Sequence, residues 1–208
     1  MASAISIPSP LTQRTDHWFN RARAALLSQV PCRAGCSRCC IGPFPITVLD
    51  AHLLNDGLSR LPTAQRDQIE ERAREQTAAM ETAFPRLRTS PYLDEWPDFE
   101  IDRLVSDFHE SRCPALDPNG HCSLYEHRPL TCRSMGIPAE EGGITNGACK
   151  VQTFVPLVRL SAHLRAEADL LAGQEGTALD AYRAGTGSQG EEVLLPYGFL
   201  QAEQLDRG

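Results

Sequence analysis

Apolar positions recur at helical spacing in four stretches of the chain. From Asp16 to Val30, the residues Trp18, Ala22, Ala25 and Leu26 trace one face, with Thr15 or Asp16 as the N-cap and Pro31 as the stop. The stretch ITVLDAHLLNDGLSRL gathers Val48, Leu49, His52, Leu53 and Leu54, with Gly57 as its expected end. A third helix is predicted from Pro62 to Phe84, where Leu61, Ile69, Ala73, Met80 and Phe84 form a stripe among charged residues. A fourth runs from Val151 to Gly173, with Pro156 near its start.

Between these helices the pattern breaks. Residues 1–13 are rich in Ser and Pro and read as a loose tail. Gly42, Pro43 and Pro45 oppose a helix directly after Cys40. Pro85, Pro91 and Pro97 interrupt a stretch holding Trp96 and Phe99, expected as an ordered loop or short helices covering the region of the cysteines. After Gly173, GTGSQG reads as a flexible linker, and VLLPYGFL as an apolar patch that docks on the body or on another subunit. There is neither an internal repeat nor an alternation of strand and helix. The expected architecture is a mostly α single domain, residues 14–173, with irregular cysteine-rich loops around a metal centre and a partly docked tail, residues 174–208.

The cysteines direct the chemistry. CRAGCSRCC supplies Cys32, Cys36, Cys39 and Cys40; CPALDPNGHCSLYEHRPLTCR supplies Cys113, Cys122 and Cys132; GACK supplies Cys149. A chain of 208 residues can bury a real core without disulfides. The first thirty residues hold no continuous apolar segment and no cleavage pattern, and no run reaches membrane-spanning length. The expectation is a cytoplasmic protein whose thiols are reduced and serve a metal.

In the first stretch, Cys32-x3-Cys36-x2-Cys39 lets three sulfurs converge, while Cys40 diverges from its neighbour toward a second metal or another side of the site. Asp117, Pro118, Asn119 and Gly120 form a turn that draws Cys113 toward Cys122. Eight ligands match two four-thiolate sites, or one site and a bridged or spare set. An iron–sulfur cluster is favoured over zinc.

Charge excludes one class of partner. The net charge is −7 and the pI about 5.4, without the basic patch that nucleic acid requires. Arg33, Arg38, Arg112, Arg133 and Lys150 lie beside or one residue from a cysteine, where cations would favour ionised thiols. His109, His121 and His127 are near enough in sequence to complete a ligand set. Glu110, Asp117 and Glu126 make no convincing acid–base pair, and Gly142 and Gly143 lack the surroundings of a phosphate loop.

The first cysteine stretch, together with Cys113, Pro114, Leu116, Gly120, Cys122, Leu124, Tyr125, Arg128, Pro129, Cys132, Arg133 and the late Cys149, resembles the YkgJ-type cysteine-cluster family, the CxxCxxCC zinc- or iron-chelating domain. The resemblance covers Cys32 to Cys149. It implies chelation by all eight cysteines, with Tyr125, Arg128 and Arg133 supporting the ligands, and brings no agreed reaction with it. Leu124 stands where the family often has isoleucine. The block is also similar to that of flagellin lysine-N-methylases, which are longer. The three-cysteine spacing is similar to that of radical S-adenosylmethionine enzymes. Against that enzyme class stand Arg38, where an aromatic is usual, and the lack of βα units. A purely structural zinc module that presents an interaction surface is the remaining alternative.

Overall fold

The computed structural model describes residues 9–25, 37, 40–135, 139–141, 144–146, 160–188 and 190–200. Helices dominate: α1 (Ser9–Ala25), α2 (Val48–Ser59), α3 (Thr63–Ala83), α4 (Asp98–Asp107), α5 (Leu130–Ser134) and α6 (Ala162–Thr186). The strands β1 (Pro45–Thr47) and β4 (Glu192–Leu194) pair antiparallel, as do β2 (Ala139–Glu141) and β3 (Ile144–Asn146). Short 3-10 helices occupy Pro85–Arg88, Tyr125–His127 and Leu195–Phe199.

The third predicted helix matches α3 closely. Ile69, Ala73 and Met80 are buried on its inner face, joined by Thr77. The first begins earlier than expected. Leu11 is buried in line with Trp18 and Ala22, and the Thr15 hydroxyl donates to the Leu11 carbonyl inside the helix instead of capping it. The expected tail therefore contains a helical turn from Ser9 onward. α1 packs along α6, where Trp18 Nε1 donates to the Leu164 carbonyl at 2.8 Å.

Glycine misplaced two expected ends. Gly57 lies within α2, which begins at a Thr47 cap and ends at Arg60. α6 passes through Gly173 and Gly176 and ends at Gly187, whose φ of 72° suits glycine. Leu164, Leu171, Leu179 and Tyr182 bury one side of α6, so packing overrides the weak helix propensity of the two glycines. Residues 151–159, where this helix was expected to start, lie outside the described residues.

The apolar C-terminal patch is part of the core. β4 pairs with β1 in the register Ile46↔Val193, and Leu195–Phe199 is wedged against α2 and α3. Asn55 Nδ2 donates to the carbonyls of Gly198 and Leu200 at 2.9 and 3.2 Å. A Cβ on Gly198 would stand 2.6 Å from Ile46 Cδ1, which is why the closest approach falls at glycine.

Candidate metal centre

The backbone joins two of the cysteine stretches. Cys113 N donates to the Cys40 carbonyl at 2.9 Å, Ile41 bridges Arg112 antiparallel, and Gly42 N donates to the Ser111 carbonyl at 2.7 Å. Cys40 and Cys113 are thereby neighbours on adjacent extended segments. Gly42 makes the approach possible with a φ of 85°, a conformation other residues resist. Cys40 N donates to the Ser37 carbonyl at 3.0 Å.

A second contact joins the same stretches. The turn after Cys113 is closed by Gly120 N to the Asp117 carbonyl and by His121 N to Asp117 Oδ1. The His121 amide is the main reason the Asp117 carboxyl titrates below its usual range. Leu116 bridges Cys122 antiparallel, and Leu116 N donates to the Cys113 carbonyl. Gly120, with a φ of 83°, lies so close to Ser37 that a Cβ there would be 3.3 Å from Ser37 Oγ. Cys113 and Cys122 are half-buried and pack against the hydrophobic core.

Cys132 rides on the short helix α5 and is half-buried. Carboxylates from two other helices grip this segment. Asp50, fully buried on α2, accepts from Leu130 N at 2.7 Å. Burial, reinforced by Glu175, pushes its carboxyl up to about 7 against the pull of the Leu130 amide. Its Oδ2 has no partner among the described residues. From α1, Asp16 Oδ1 accepts from Arg128 Nη2 at 2.9 Å, and Oδ2 pairs with Arg133 Nη1. Arg133 is only 4% exposed and also donates to the carbonyls of Arg128 at 3.0 Å and Glu126 at 2.6 Å. Arg128 stacks on Tyr125 with its guanidinium carbon 3.9 Å from the ring centre.

Cys40, Cys113 and Cys122 are thus placed on segments whose backbones meet, while the segment of Cys132 is held separately by Asp50 and Asp16. Cys32, Cys36, Cys39 and Cys149 lie outside the described residues, as do Arg33, Arg38 and Lys150. Among the described residues, no three His, Cys, Asp or Glu side chains are grouped to hold a metal. The histidines have other neighbours. His109 Nδ1 lies 2.7 Å from the Ser106 carbonyl, His121 faces Asp117, and His127 packs on Gly57 near Asp56. Trp96 packs on Phe84 and beneath Arg86 at the end of α3, while Phe99 is exposed.

Two residues of this region, Asp16 and Asp50, were not apparent as site elements. Asp16 looked like a helix cap. Asp50 carried a signal: it is a carboxylate within the apolar run VLDAHLL, flanked on both sides by positions that are buried.

The family model CxxCxxCC, described as "Putative zinc- or iron-chelating domain", matches residues 31–150. No curated protein and no solved structure matches the chain.

Proposed function

The chain belongs to the CxxCxxCC family of zinc- or iron-chelating domains, and from that premise we propose that its eight cysteines are the ligands, with an iron–sulfur cluster favoured over zinc. One observation carries this reading. The Cys113 amide bonds the Cys40 carbonyl, so the fold draws together cysteine stretches that are far apart in sequence. Backbone pairing of this kind brings the two stretches close enough to contribute thiolates to a shared site.

The donor chemistry fits. Thiolates suit iron–sulfur clusters and zinc, and oxygen-seeking cations poorly. The described cysteines alone do not form a metal group, so the complete set draws on Cys32, Cys36, Cys39 and Cys149. The vicinal Cys39–Cys40 pair and the three-cysteine loop favour a cluster. A bound cluster would supply one-electron transfer, and the protein's role would then be redox. The residues of this chain position the thiols: Gly42 and Gly120 permit the loops to approach, while Asp50 and Asp16 anchor the segment before Cys132.

Anaerobic purification and elemental analysis test the proposal. A brown protein with iron and acid-labile sulfide in equal amounts is the expected result. A colourless protein with about two zinc ions, four thiolates to each, would exclude the cluster. Cys113→Ser should lower the metal content and the thermal midpoint together, because metal binding energy is also folding energy. Unchanged metal content in that variant would remove Cys113 from the ligand set.

A further inference from the structure

Cys132 sits on a helix of five residues, Leu130–Ser134, too short to hold its own shape. Its position is set from outside. Arg133, the next residue, is almost wholly buried, and all three of its guanidinium nitrogens are engaged. Nε and Nη2 reach the carbonyls of Arg128 and Glu126, which folds the segment 126–133 back on itself. Nη1 reaches Asp16 on α1. The same carboxylate takes Arg128 on its other oxygen at 2.9 Å. Two arginines that flank the segment therefore converge on one acid, and α1 packs directly against α5. Asp16 lies before residue 31, where the family match begins. The clamp is thus supplied by a helix outside the matched segment.

We infer that Asp16 is a positioning residue, which holds Cys132 in place through Arg128 and Arg133. The chain as a metal site rests on the function proposed above; the clamp itself does not. Removing the carboxylate leaves two converging guanidinium groups, one of them buried, without their counter-charge. The segment must then rearrange to bring Arg133 to water, and Cys132 moves with it. Asp16→Glu keeps the charge and both carboxylate oxygens, so it should recover part of what Asp16→Ala loses.

The test is the alkylation rate of each cysteine in the full chain held at saturating zinc, so that parent and variant are equally loaded, resolved by peptide mass analysis, alongside zinc affinity measured by competition with a chromophoric chelator. Asp16→Ala should speed alkylation of Cys132 by about tenfold or more and change Cys40 and Cys113 by less than about twofold. Zinc affinity should fall about 10- to 100-fold, the usual effect of losing an outer partner of a ligand. Asp16→Glu should fall between the variant and the parent in both. If Asp16→Ala does not fold, Asp16→Asn, which keeps one acceptor and the side-chain volume, takes its place with the same expectations. A lower thermal midpoint with Cys132 alkylation unchanged would overturn the inference, because Asp16 would then serve stability alone. Equal acceleration of all three cysteines would overturn it as well. If the parent chain binds neither iron nor zinc, the proposed function falls, and selective alkylation of Cys132 still decides the role of Asp16.

Discussion

Asp50 is a carboxyl group sealed inside the molecule, and its environment makes it a reporter of the fold. Burial raises it from 3.8 to about 7, and Glu175 adds to the rise, while the amides of Leu130 and Thr47 and the charge of Arg133 oppose it. In the unfolded chain it titrates as an ordinary aspartate. The folded state thus binds its proton more tightly than the unfolded state does. Its contribution to stability is complete below about pH 4, drains away as pH rises toward 7, and is constant above that. Asp50→Asn removes this dependence while keeping an oxygen for Leu130 N. Denaturant midpoints of both proteins from pH 4 to 8 should show the variant gaining on the parent by about 1.4 kcal/mol per pH unit, then levelling off near neutrality. Glu192, also raised by burial, is present in both proteins and cancels in the difference, whereas Glu175 faces Asp50 and eases back toward its ordinary range when that charge is removed. A gap that stays constant with pH would show that Asp50 ionises freely. Gly57 offers a second residue-scale test. In an exposed helix, Gly→Ala stabilises by about 1 kcal/mol. Here the added Cβ would stand 2.7 Å from His127 Cβ and 3.1 Å from a Leu124 methyl, so Gly57→Ala should cost about 1–3 kcal/mol in a urea melt.

At the scale of elements, the turn Asp117–Gly120 lies against Ser37. Gly120 has a φ of 83°, and a Cβ added there would stand 3.3 Å from Ser37 Oγ. Gly120→Ala should therefore strain the turn by about 1–2 kcal/mol and lower metal affinity by parting the two stretches, as chelator competition would show. This turn was legible in the sequence because Asp, Pro, Asn and Gly each perform local chemistry there. α3 was legible for a similar reason, since its apolar stripe repeats within the helix. The ends of α1, α2 and α6 were not. Gly57 and Gly173 carried the ordinary sign of a helix stop, and Ser9–Gln13 that of a tail. Burial of Leu11, Leu171, Leu179 and Tyr182 against distant partners decided otherwise. The cysteine ligands could be proposed from spacing and resemblance, whereas the carboxylates that grip Arg128, Leu130 and Arg133 come from other helices, and no local pattern joins them to Cys132.

The whole molecule depends on its C-terminal segment. β4 completes a sheet with β1, and Leu195–Phe199 fills the space beside α2 and α3, with Tyr197 donating to Glu81 Oε1 at 3.1 Å. Burial, aided by Glu81, raises the Tyr197 phenol above its ordinary range and keeps it a donor. Phe199 is among the most deeply buried side chains, so Phe199→Ala should cost about 3–5 kcal/mol, measured as a shift of the cooperative unfolding transition. The loss should extend to metal retention, because α2 carries both the floor beneath Leu195–Phe199 and the Asp50 anchor of α5. No helix among the described residues is long and apolar enough to cross a membrane. By itself, the sequence determined the mostly helical class, the stripe of α3, the turn after Cys113 and the family of the cysteine block. These rest on contacts between near neighbours or on residue types at set spacing. Only the tertiary structure decided that Cys40 lies beside Cys113, that Asp16 and Asp50 hold the segment before Cys132, and that the apolar end of the chain is core. Those outcomes join residues far apart in sequence, and their free energy comes from burial and charge pairing that exist only once the helices have packed.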